Sequence, residues 1–170
     1  MSDDPSAPQD DAVTAFWENA KRRAKLSRLP GYFGPSALES LRPPAWSFGA
    51  TPEQADALLE LVLDGTKTAT SAALGDFGAG EEPLPEPGGL SIVLDGSGSP
   101  RALIVTTDVR TVRFDEVDAE HARLEGEGDL TLEHWRDVHE RFFTEHSLQD
   151  GAFTPDLPVV LERFKVLYSG

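Results

Sequence analysis

The sequence predicts an α+β fold built on a small, largely antiparallel sheet or barrel, and three observations predict it. Helix-like and strand-like segments are mixed without a regular βαβ repeat. Two strand-like segments are joined by Gly96-Ser97-Gly98-Ser99, a hairpin signal. No self-similar period runs along the chain, which excludes solenoids and propellers. At 170 residues, 39% of them hydrophobic, the chain is sized for one domain with a core of its own.

Residues 1–11 are rich in Asp, Pro and Ser and read as a disordered acidic tail, leaving 12–170 as a single domain. From Val13 an apolar stripe (Val13, Phe16, Trp17, Ala20, Ala24) recurs at helical spacing. Leu29-Pro30-Gly31 should stop that helix. A long Pro/Gly/aromatic connection follows over 30–50. Its Trp46-Ser47-Phe48-Gly49 is either a hydrophobic clasp or an aromatic wall for a planar base. Thr51, Pro52 and Gln54 then make a capping box with proline at the first helical position. Ala55, Leu58, Leu59 and Val62 are the buried stripe of this second helix, and Gly65 is its stop. Thr66–Ser71 reads as a short strand and 75–89 as a loop. Further strands are expected at Leu90–Leu94, Ala102–Val112 and Val159–Tyr168. Two more helices are expected at Asp115–Leu124 and Thr131–Thr144, the latter capped by Thr131.

Composition closes off several chemistries. The chain has no cysteine, which excludes disulfides, thiolate catalysis and cysteine-ligated zinc. Its start is acidic and polar, unlike a signal peptide, and its apolar runs are too short to span a bilayer. A cytoplasmic protein without membrane contact is expected. The formal charge of −15 disfavours general polyanion binding. Five of the 15 basic residues (Lys21, Arg22, Arg23, Lys25 and Arg28) nevertheless cluster. They form either the solvated face of a helix or a patch for RNA phosphates.

Known chemical motifs are few. There is no G-x-G-x-x-G, no phosphate-binding P-loop and no G-x-S-x-G. His121, His134, His139 and His146 lack the i, i+4 spacing of a helical metal pair, so no metal and no cofactor is expected. What stands out is Gly65-Thr66-Lys67-Thr68-Ala69-Thr70. Here a capped helix delivers the chain to a glycine, and a lysine follows at the start of a strand, held from both sides.

The Gly65-x-Lys67-Thr68-x-Thr70 segment resembles the signature of the ASCH family (activating signal cointegrator homology). Phe16-Trp17, Trp46-Ser47-Phe48-Gly49, Gly88 before Ser91-Ile92-Val93-Leu94, and Phe114-x-x-Val117 add to the resemblance. So do Glu125-Gly126-Glu127-Gly128-Asp129 and Pro158-Val159-Val160-x-x-Arg163-Phe164, and together they cover about residues 12–168. The resemblance implies a PUA-like β-barrel with flanking helices, in a kinship that includes RNA-binding domains. Some small bacterial members are amidohydrolases that deacylate N4-acetylcytidine with a Lys, a Thr and a Glu; others are described as ribonucleases. The Lys and Thr fall on Lys67 and Thr70. The Glu, from an H-A-x-x-E segment, falls on Glu125 in His121-Ala122-Arg123-Leu124-Glu125. The family often has Arg where this chain has Ala72. The expected ligand is a nucleoside or modified base, with Trp46, Phe48, Thr68 and Ser71 as further binding candidates. RNA, or a ligand that is sensed without catalysis, are the alternatives.

The chemistry of such a triad sets two conditions. A neutral Lys67 acts as nucleophile or base, whereas an ionised Glu125 beside it favours the ammonium. Strand alternation puts positions 67 and 70 on opposite faces, unless the strand begins after Lys67.

Overall fold

The computed structural model describes residues 7–23, 42–77, 84–146 and 153–170. Four α-helices lie among them: α1 (Ala7–Arg23), α2 (Pro52–Leu63), α3 (Ala119–Glu125) and α4 (Leu132–His146). Five strands, β1 (Ala45–Trp46), β2 (Ala69–Ala73), β3 (Leu90–Leu94), β4 (Pro100–Arg113) and β5 (Pro158–Ser169), form one mixed sheet. The α+β expectation holds. The strand order is β1-β3-β4-β5-β2, so the expected barrel is an open ladder among the described residues, with β1 and β2 as its edges. No described helix is long and apolar enough to cross a membrane.

Two compact units share the chain. The first comprises Met1–Leu63, Gly88–Val105 and Lys165–Gly170. Its core gathers the predicted stripe of α1, Val13, Phe16, Trp17 and Ala20, around Ile92, Leu94 and Leu103. Helix α1 starts at Ala7, so residues 7–11 belong to it rather than to a tail. Acidic Asp10 suits the positive end of the helix dipole, and its carboxylate pairs with Arg42 at 2.7 Å. Thr51 caps α2 as expected, its Oγ1 accepting from Gln54 N at 3.2 Å, whereas Gln54 Oε1 reaches one residue further back than a capping box and accepts from Ala50 N at 2.7 Å. The hairpin is also as expected. Strands β3 and β4 pair antiparallel, and Asp95 Oδ1 accepts from the Ser97 and Ser99 amides inside the turn. Strand β1, not foreseen, pairs parallel with β3, Trp46 opposite Val93.

The second unit comprises Asp64–Pro87 and Thr106–Phe164. Here β2 pairs antiparallel with β5, from Ala69 opposite Arg163 to Ala73 opposite Val159. One face of that pair, with Ala73, Val159 and Leu161, packs into a core with Ala122 of α3 and Trp135 and Phe143 of α4. The helix expected at Asp115–Leu124 is split. Phe114–Glu116 is a short 3-10 turn, and Asp118 then caps α3 by accepting from His121 N at 2.9 Å. An aspartate four residues into the expected helix offered a better start than the one assumed. The expected strand at Thr66–Ser71 begins instead at Ala69.

Candidate functional site

Everything that places Lys67 belongs to the second unit. After α2 the chain turns through Gly65 at φ 85°, and Asp64 Oδ1 accepts from Thr66 N at 2.8 Å. The segment then lies along the last turn of α3, where Thr68 N donates to Leu124 O at 2.8 Å. On its other side Phe164 N donates to Thr68 O at 3.0 Å. Gly126 ends α3 in the left-handed conformation, φ 73°. A Cβ at that position would stand 2.6 Å from Thr66 O, so only glycine permits this approach. The result is that Lys67 and Glu125 arrive side by side from opposite parts of the unit.

Both are buried, Lys67 2% and Glu125 1% exposed. Lys67 Nζ donates to Ala69 O at 2.8 Å and stands 3.4 Å from Glu125 Oε1 and 3.5 Å from Glu127 Oε2. The other carboxylate oxygen, Glu125 Oε2, accepts from Ser71 Oγ at 2.5 Å, from His121 Nε2 at 2.8 Å and from Trp135 Nε1. His139 Nε2 approaches Oε1 at 3.4 Å. The Glu125 carboxylate is therefore the hub of the cluster, with donors on both oxygens. His121 and Glu125 are spaced i, i+4 on α3, and Trp135 and His139 are spaced i, i+4 on α4, so each pair shares a helix face. The Trp135 and His139 rings stack, centroids 4.2 Å apart.

Protonation follows from these contacts. Burial pushes Glu125 up, but Lys67, His139 and the hydrogen bonds from His121 and His139 outweigh it and hold the carboxyl well below the usual range. Burial pushes His139 down, and the attraction of Glu125 more than offsets it, so its pKa is raised. His139 Nδ1 donates to Trp135 O at 2.8 Å. Its Nε2 then faces a carboxylate, which only accepts, so this nitrogen carries a proton too. By the same rule His121 Nε2 is the protonated nitrogen of that ring, and its Nδ1 is buried without a partner among the described residues. Glu125, Glu127 and His139 also offer metal-ligand atoms within 4.8 Å of one another. Lys67 already stands against both carboxylates and supplies the positive charge such an acidic pair calls for.

A family model described as the ASCH domain matches residues 44–168. The chain belongs to the ASCH domain family. Two solved structures agree over almost the whole chain. Protein EF3133 from Enterococcus faecalis is 34% identical, with a TM-score of 0.76, over 92% of this chain and 88% of that one. The ASCH domain from Lactobacillus crispatus is 28% identical, also with a TM-score of 0.76, over 93% of this chain and 95% of that one. No curated protein matches the chain.

Within this ASCH domain, the predicted residues separate. Lys67, Glu125 and Ser71 come together. Thr70 does not join them. Ser71 points at Glu125, so its neighbour Thr70 presents its side chain to the opposite face, in register with Glu162 of β5. Thr68 Oγ1 reaches Leu124 O at 3.5 Å. Trp46 and Phe48 are in the first unit, packed edge to face at 4.8 Å, with Phe48 only 5% exposed. In the basic cluster, Lys21 pairs with Glu18 at 3.0 Å, which offsets one of its charges, and Arg22 donates to Asn19 Oδ1 at 2.8 Å. Lys25 and Arg28 lie outside the described residues. Sequence reasoning missed Trp135 and His139 as site residues. The available signal was a histidine four residues after a tryptophan on an otherwise apolar face of α4.

Proposed function

We propose that this ASCH domain binds a nucleoside or modified base and deacylates N4-acetylcytidine at the cluster around Lys67 and Glu125. The observation that carries the reading is the buried contact of those two residues, with the half-buried Ser71 hydroxyl set against the same carboxylate. Burying two charges is costly, and a stable core does not need it. Buried carboxyls with a shifted pKa, as Glu125 has, gather at reaction centres.

The roles follow from charge. Beside an ionised Glu125, Lys67 acts as an ammonium rather than a base. It is suited to stabilising the oxyanion that forms when the acetyl carbonyl is attacked. Ser71 Oγ is the attacking atom, and its proton passes to Glu125 Oε2 and then to the departing exocyclic nitrogen of cytidine. Water then attacks the acetyl carbon of the acyl-serine ester, the bond to Ser71 Oγ breaks, acetate leaves and a proton returns to Ser71. Because Glu125 is held so low, the acid limb of the rate profile is expected below pH 4.5, the ordinary carboxyl value.

Incubation with N4-acetylcytidine, with released cytidine followed by chromatography, tests this. Lys67→Met and Ser71→Ala are expected to lose turnover while the exposed Lys165→Ala keeps it. A wild-type protein that releases no cytidine refutes the reading.

A further inference from the structure

A second polar group lies on the other face of β2, and the deacylation chemistry does not use it. Glu162 of β5 is 8% exposed. Its Oε1 accepts from Thr106 Oγ1 of β4 at 2.6 Å, and this is its one hydrogen-bond partner among the described residues. No described basic side chain pairs with it, whereas Glu125 has Lys67 and His139 beside it and donors on both oxygens. Directly across the ladder stands Thr70, half-buried, whose hydroxyl makes no hydrogen bond among the described residues. Opposed residues in an antiparallel pair hold their Cβ atoms about 4.5–5.5 Å apart, which puts the Thr70 hydroxyl within reach of the free Glu162 oxygen or of a group bound between them. Strand β2 is also an edge of the sheet among the described residues, where no other strand takes its outer side.

Buried polar groups are expensive unless they are hydrogen-bonded, and native proteins rarely leave them half-served. The second Glu162 oxygen and the Thr70 hydroxyl are not among the fully buried unpartnered atoms, which among the described residues are Trp17 Nε1 and His121 Nδ1, so both keep surface open to a ligand. Burial pushes the Glu162 carboxyl up against the opposing effect of the Thr106 hydrogen bond, as expected for a carboxyl without a cation.

We propose that Glu162, Thr106 and Thr70 form a hydrogen-bonding subsite for a neutral ligand edge that carries an N–H donor next to an acceptor, the chemistry of an amide or a pyrimidine base. The ligand N–H donates to Glu162 Oε2, the Thr70 hydroxyl donates to the ligand acceptor, and Thr106 fixes the Glu162 carboxyl through its other oxygen. Naming a pyrimidine base as the ligand, and cytidine as the probe, rests on the function proposed above.

Calorimetric titration of the full chain with cytidine tests it. Thr70→Val is expected to weaken Kd by about tenfold, the cost of leaving a buried partner unserved, with the melting temperature unchanged. Glu162→Leu is expected to weaken Kd as much, and Thr70→Val alone decides if that variant does not fold. Equal Kd for Thr70→Val and wild type overturns the subsite, as does a wild type that does not bind cytidine. Turnover of N4-acetylcytidine is read separately. Thr70-dependent binding without turnover removes the deacylase and leaves the subsite standing. Turnover together with a cytidine Kd that Thr70→Val does not change removes the subsite and leaves the deacylase.

Discussion

Glu125 and His139 titrate in opposite directions, and their balance defines a pH window for the cluster. Glu125 has a lowered folded pKa, so its contribution is present above the unfolded carboxyl value near 4.5 and is lost as pH falls through the lower folded value. His139 has a raised folded pKa, so its contribution is full below the ordinary histidine value of 6.5 and is lost as pH rises through the higher folded value. Stability measured by urea unfolding at a series of pH values should therefore fall on the alkaline side above pH 6.5, and His139→Gln should remove most of that fall. An unchanged alkaline limb in the variant would show that His139 is not charged in the fold. The sequence made Lys67 and Glu125 legible because each sits in a short ordered motif. It did not decide between Thr70 and Ser71, because alternation counts from the first strand residue. That residue is Ala69, fixed by how Thr66 and Thr68 lean on α3.

Elements with their own punctuation were readable, and those set by long-range contact were not. Strand β3 has the predicted bounds, and the capping of α2 by Thr51 and of α4 by Thr131 follows the sequence signals. Strand β1 is two residues long, and only its pairing with β3 makes it a strand. The end of α3 belongs to both classes. Gly126 was visible as a glycine after a helix, yet its close approach to Thr66 was not. Gly126→Ala should therefore do two things. It forces a left-handed conformation that costs an L residue about 1–2 kcal/mol, and it drives a methyl group against the Thr66 carbonyl. Gly88, also at positive φ, has open space around its missing Cβ and serves as the control. Thermal melts should show a larger drop for Gly126→Ala than for Gly88→Ala, at about 2–4 °C for each kcal/mol. Equal drops would mean that the α3 end is not held against the Lys67 segment.

Across the whole chain, 30 acidic and 15 basic residues leave a formal charge of −15 at pH 7. The described ion pairs on the surface are few and mostly exposed, such as Arg110 with Asp118 and Arg113 with Asp115, and pairs of this kind contribute little each. Net self-repulsion should therefore outweigh local attraction at neutral pH. Salt screens exposed charges over a length of about 10 Å at 0.1 M, so it relieves the repulsion between surface carboxylates. The buried Lys67–Glu125 pair, 1% exposed on both sides, is screened far less. Adding sodium chloride at pH 7 should then raise the melting temperature, by about 2–4 °C for each kcal/mol of repulsion removed. Near pH 4.5, the pI of the sequence, the net charge vanishes and the same salt should have little effect. A melting temperature that falls with salt at pH 7 would mean that attractive surface pairs dominate the charge balance.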